Sequence, residues 1–202
     1  MVKTLGVTIT VAKGQELAVL IVPTSFIPSS LPCPALQADN LCGIHESKPS
    51  RCKTMPFYPY RDERFQAELT NPRPGWECDT STSAPLVYQE QKIVDREDFD
   101  RERQELLDEV PLLRRYADYM FKYSHSLPNN LMFSVGKTKA HQVVTSLSSF
   151  LTATQNTDAR NIAQQQLPIL KTYAEQTAGD PKLAFFHNNY VNWSKEMAYL
   201  AK

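Results

Sequence analysis

The sequence has no excess charge of either sign, no long apolar run near its start, and none of the short CxxC knuckles of ordinary zinc fingers. Lys plus Arg equals Asp plus Glu at 22 each. No global field therefore draws in nucleic acid or an anionic membrane, and neither is expected as a partner. The apolar run Leu17-Ala-Val-Leu-Ile-Val22 is stopped by Pro23. It is far shorter than the ~20 residues of a membrane helix, lacks the form of a secretory signal, and reads as a buried strand. Four cysteines in 202 residues fall well below the density of a disulfide scaffold. No G-x-S-x-G elbow and no HExxH pair occurs, and no general acid–base constellation stands out, so no catalytic residue is named.

What is present is a cluster. Cys33, Cys42 and Cys52 occupy about a tenth of the chain, with Cys78 following after 25 intervening residues. Thiolates are soft ligands that favour zinc, cuprous copper or iron–sulfur clusters. The prolines between them indicate loops wrapped around a centre. The cluster is read as metal ligation in a reducing compartment, the cytoplasm, with two disulfides as the alternative. The candidate ligands are Cys33, Cys42, Cys52 and Cys78. His45, at C-x-x-H spacing from Cys42, is a substitute donor. The implied cofactor is an iron–sulfur cluster or zinc, and the spacing does not choose between them.

The residues between the cysteines carry a further signal. Cys33, Pro34, Leu36, Cys42, Ile44, Pro49, Cys52 and Pro56 fall at the positions of a pattern that resembles the second half of the YkgJ-type cysteine-cluster family of zinc- or iron-chelating proteins. His45 stands at the usual tyrosine, and Lys48 and Lys53 stand at two usual arginines. The resemblance covers about residues 5 to 80 and implies that Cys33, Cys42 and Cys52 converge on one centre. The family has an earlier group, roughly C-x-x-x-C-C, which this sequence does not show. The expectation is either a reduced ligand set or a chain that starts after that group. Flagellin lysine methylases have a similar cysteine region, but nothing here resembles a methyl-donor site.

The expected fold is mainly α, with a small irregular or β cysteine-loop lobe over residues 1–92 and a C-terminal helical bundle over 93–202. Val7, Ile9 and Val11 alternate with Thr8 and Thr10 as in a half-buried strand, and a second strand is expected over 17–22. Residues 23–91 hold ten of the fourteen prolines and cannot be continuous helix. A loop this long inside a compact domain needs a constraint, which a metal would supply. The alternative is that prolines and aromatics simply pack it.

From Asp95 the composition turns to helix formers, with Phe99, Leu106 and Val110 at helical intervals. Pro111 is expected to open a second helix with Leu112, Leu113, Tyr116, Met120 and Phe121 inward, and Leu127-Pro-Asn-Asn130 to break it. A third helix is predicted over 138–154. A fourth begins near Asp158, with Pro168 kinking or dividing it. Gly179 is read as the C′ residue that ends it, and a last helix, capped by Asp180-Pro181, carries Phe186, Tyr190, Trp193, Met197 and Leu200. The second functional class is an interaction or structural protein whose helical bundle binds a partner while the cysteine loop is a vestigial, structural remnant.

The remaining motifs read as structural. Gly136-Lys137-Thr138 resembles the end of a phosphate loop, but Leu131 stands where the pattern needs glycine, so a nucleotide site is rejected. His125, His141 and His187 lack a partner at i+4 and read as surface or helix-end histidines. The charged mixture from Asp95 to Asp118, such as Glu97 with Arg101, reads as a solvated helix face.

Overall fold

A computed structural model describes residues 2–10, 14, 16–72, 78–134 and 143–202. Among the described residues the chain is mainly helical, with two small two-stranded sheets, and the helical part follows the composition shift at residue 95. It divides into two compact units. One comprises Met1–Thr10, Glu16–Leu20 and Ala35–Pro111. The other comprises Val11–Gln15, Ile21–Pro34 and Leu112–Lys202. Among the described residues no helix is long and apolar enough to cross a membrane.

In the first unit a short helix α1 (Val2–Leu5) precedes β1 (Val7–Thr10) and β2 (Glu16–Val19), which pair antiparallel with Val7 opposite Val19 and Ile9 opposite Leu17. The alternation of Val and Ile with Thr places alternate residues on one face, as expected for this period. Val11 of the predicted strand lies outside the described residues. Downstream come helix α2 (Ser50–Lys53) and a second hairpin of β3 (Tyr88–Gln89) and β4 (Lys92–Ile93).

Helix α3 (Glu97–Tyr123) opens with Glu97, Asp98 and Asp100 at its positive end, while the Asp95 carboxylate accepts from the Glu97 amide at 3.3 Å. The core of this unit is Phe57, Ile93 and Phe99, with Tyr88 stacked on Phe57 at 5.9 Å. Thus the proline-rich stretch does pack some of its aromatics. Gln66 adds a polar brace. It is fully buried, accepts the Tyr58 amide at 2.7 Å and donates to the Tyr58 carbonyl at 2.9 Å.

Pro111 does not open a new helix, because α3 runs through it without interruption. The proline costs the helix one backbone bond, yet it is exposed, and buried Val110 and Leu113 on either side keep the apolar stripe intact. The helix does break, but over residues 124–126, just before the predicted segment, which itself forms α4 (Leu127–Ser134) with Pro128 in its first turn, where a missing N–H costs little. Helix α5 (Leu147–Ala153) is shorter than predicted. Ser146 caps it by accepting from the Ser149 amide, and the expected start near Thr138 lies outside the described residues.

Helix α6 (Ala159–Gln176) contains Pro168 without being divided, and α7 (Ala184–Leu200) follows a short 3-10 turn over Pro181–Leu183. Gly179 takes φ +79°, and Asp180 caps the turn by accepting from the Lys182 amide at 2.8 Å. Both features match the residues chosen for them in the sequence. The core of the second unit is Leu151, Ala163 and Met197, with Ile162, Leu167, Leu170 and Leu200 around them.

Candidate metal centre

The cysteine loop is built from local hydrogen bonds. Leu36 and Cys42 face each other in an isolated antiparallel bridge, closed by Gln37 N to Leu41 O at 2.9 Å and Gly43 N to Ala35 O at 2.7 Å. Asn40 at the tip has φ 64°, a conformation that asparagine tolerates. The Asp39 carboxylate accepts the Leu41 amide at 2.9 Å, as in an Asx turn. A second turn follows at once, with His45 N donating to Cys42 O at 3.2 Å. Cys42 and His45 therefore share one turn, as the C-x-x-H spacing allows.

Cys52 sits on α2, and that turn is held to α3 by side chains. Ser50 Oγ donates to Glu105 at 2.9 Å, Arg51 pairs with Glu102 at 3.4 Å, and Thr54 Oγ1 reaches the Asp98 carbonyl at 3.4 Å. The Arg51 guanidinium also lies 4.3 Å from the Tyr58 ring centre, a cation–π distance. Glu102 is buried, which corrects the reading of the whole 95–118 stretch as a solvated face. The Glu97–Arg101 pair of that reading is present at 3.6 Å. The sequence signal for Glu102 was available in its helical interval to Phe99 and Leu106, but its partner is 51 residues away and no local rule pairs them.

All four cysteines are free thiols. Cys33, Cys52 and Cys78 are exposed and Cys42 is half-buried. No residue from 35 to 53 is buried, so the loop carrying Cys42, His45 and Cys52 has no apolar core of its own. Cys42, His45, Cys52 and Cys78 belong to the first unit and Cys33 to the second. Among the described residues, no three His, Cys, Asp or Glu side chains are grouped so that they could hold a metal ion.

In the second unit Tyr173 has its phenol pKa raised by burial, with a smaller contribution from Cys33. Cys33 thus lies within electrostatic reach of Tyr173 on α6. His187 on α7 meets the Ala174 carbonyl at 2.9 Å through Nδ1, while His125 is exposed. The first is a structural histidine and the second a surface one. His141, Gly136-Lys137-Thr138 and Trp76 lie outside the described residues.

Comparison with known proteins returned no matching family model, no matching curated protein and no matching solved structure.

Proposed function

We propose that the chain is a metal-binding protein of a reducing, cytoplasmic compartment. In this reading the cysteine loop takes up zinc or an iron–sulfur cluster. The observation that carries the reading is the loop itself, which combines free thiols in ordered turns with no buried residue from 35 to 53. Buried cysteines are inert hydrophobes, whereas exposed, clustered ones are available as thiolates. A metal also supplies the constraint that apolar packing does not supply there, because its binding free energy adds to folding free energy.

The donor chemistry fits a soft or borderline ion. Cys42, Cys52 and Cys78 would provide thiolates and His45 an imidazole nitrogen, a combination zinc accepts, whereas four-cysteine iron–sulfur ligation would call on Cys33 as well. The tethers from Ser50, Arg51 and Thr54 to α3 hold the backbone of Cys52, so Cys52 is the donor with the least freedom to lose. Metal loading then draws the more loosely held Cys42–His45 turn and Cys78 towards it. Anaerobic purification followed by metal analysis and absorbance tests the reading. A visible band identifies iron–sulfur and a colourless metal-bearing sample identifies zinc. A folded, metal-free sample that takes up neither defeats the proposal.

A second reading, that the helical unit binds a protein partner, is favoured by large apolar side chains left in solvent on α6 and α7. Ile169, Phe185 and Tyr199 are all exposed. Pull-down with the metal-free full chain, compared between wild type and the Phe185→Ser and Tyr199→Ser variants, tests it.

A further inference from the structure

Lys and Arg match Asp and Glu over the whole chain, but the two units do not share them evenly. The first unit holds 11 Lys and Arg against 17 Asp and Glu, and the helical unit 11 against 5. A neutral total therefore hides a side-chain charge of −6 on one unit and +6 on the other. The absence of a global field, read from the total, does not extend to the helical unit. A unit with twice as many cations as anions favours a polyanion as its partner.

Part of that charge is gathered on one stripe of α3. In the helical unit the last turns of this helix carry Arg115, Tyr119, Lys122 and Tyr123 at successive spacings of four, three and one. At 3.6 residues per turn the four positions fall within roughly 100° of arc, so they share a face. The opposite side of the same turns holds the buried Leu113 and Ala117, which turns the stripe towards solvent. Arg115, Lys122 and Tyr123 are exposed, the tyrosine by 61%, and Tyr119 is half-buried. The two tyrosine ring centres lie 4.7 Å apart, with 50° between their planes, and the Lys122 ammonium is 5.2 Å from the centre of the Tyr123 ring. Among the described residues neither Arg115 nor Lys122 is in an ion pair. Asp118 borders the stripe on the Lys122 side and is the one acid between residues 112 and 126.

We propose that this stripe binds single-stranded nucleic acid, with Arg115 and Lys122 on backbone phosphates and Tyr119 and Tyr123 as a stacking platform for bases. The rings decide the class of polyanion. Unpaired nucleotides offer phosphates and flat π faces side by side, and exposed aromatics beside cations take up both. An acidic protein segment satisfies the cations and leaves the rings unused. An anionic membrane surface suits a helix with its apolar face turned outward, whereas α3 buries Leu113 and Ala117. Duplex nucleic acid keeps its bases stacked on one another and out of reach of the tyrosines. The proposal does not depend on the metal reading, since no cysteine lies on the stripe.

The test is fluorescence anisotropy of a labelled oligothymidylate titrated with the reduced full chain at salt concentrations from about 50 to about 200 mM. Saturable binding is expected. Its log–log salt slope should be about −1.4 or steeper, at about 0.7 for each phosphate neutralised by the two cations. Tyr123→Ser is expected to weaken binding at least about fivefold with the slope unchanged, because one base stack is lost. Tyr123→Phe keeps the ring and is expected to bind as wild type does. Replacing both cations, Arg115→Gln with Lys122→Gln, is expected to flatten the slope by about 1.4. Circular dichroism verifies the fold of each variant.

Competition against the wild type needs no variant at all. A duplex, an abasic strand of equal charge, polyglutamate and vesicles rich in phosphatidylserine are each expected to displace the oligothymidylate at least about fivefold less well than an unlabelled copy of it, since none presents unstacked bases. An abasic strand, polyglutamate or vesicle that competes as well as the unlabelled copy overturns the proposal and leaves a surface for anions in general. No saturable binding by the folded chain, or unchanged affinity in Tyr123→Ser, overturns it as well.

Discussion

Arg51 reaches the carboxylate of Glu102 at 3.4 Å, and through that contact the turn carrying Cys52 is fastened to the long helix α3. The two residues are unequal in burial, with side chains 30% and 8% exposed, so the carboxylate is the group that suffers when the pair is broken. Arg51→Ala is expected to destabilise the first unit by about 1–3 kcal/mol, the range for a largely buried acceptor left unsatisfied. Arg61→Ala, which breaks an exposed pair with Glu68 at 3.7 Å, is expected to cost under about 0.5 kcal/mol. Urea denaturation of both variants checks the ranking, and equal effects would contradict it.

The second core gives a sharper contrast. Met197 is 1% exposed against Leu151 and Ala163, and truncating a fully buried side chain costs both its transfer free energy and a cavity. Met197→Ala is expected to lower stability by about 2–5 kcal/mol. Tyr199, two residues on, is 75% exposed, and Tyr199→Ala is expected to stay within about 0.5 kcal/mol of wild type. Thermal unfolding followed at 222 nm reads both.

Alkaline pH is expected to destabilise the helical unit through Tyr190. Burial, with a smaller contribution from Tyr173, pushes the Tyr190 phenol up to about 12, against about 10 in an unfolded chain. The folded state therefore keeps a proton that the unfolded state has lost. The resulting contribution is fully present below pH 10 and is lost as pH rises towards 12. Denaturation midpoints at pH 9 and pH 11 should fall more in wild type than in Tyr190→Phe, which has no phenol to ionise. A matching fall in both would show that another group is responsible.

Much of the helical unit was legible because its signals are local. Asp158, Gly179 and Asp180-Pro181 mark ends that depend on a few neighbouring residues, and Phe186 to Leu200 repeat at the helical period. The misreadings were also local rules, overridden by packing. Pro111 is a start signal in isolation, yet it is carried inside α3 because the apolar face continues past it. Leu127-Pro128 marks the break after α3 but lies on its far side, because a first-turn proline also begins a helix.

The site was less legible. Cysteine spacing and the resemblance named the candidate donors. Nothing in the spacing showed that Cys33 falls in the helical unit while Cys42, Cys52 and Cys78 fall in the other. The Arg51–Glu102 and Phe26–Tyr190 contacts join residues 51 and 164 positions apart, a separation no periodicity encodes.

The most direct test of the metal-binding account is a cobalt titration of the reduced full chain under anaerobic conditions, with free thiols counted in parallel by a disulfide reagent. The metal-free chain should expose four reactive thiols without denaturant, since all four cysteines are free and three are exposed. The account predicts that about one equivalent of cobalt produces a thiolate charge-transfer band and withdraws at least two thiols from the reagent, consistent with a single mononuclear site. It also predicts that Cys42→Ser and Cys52→Ser each abolish the band. Four thiols that stay reactive at saturating cobalt, in a chain that remains folded and shows no such band, would contradict it.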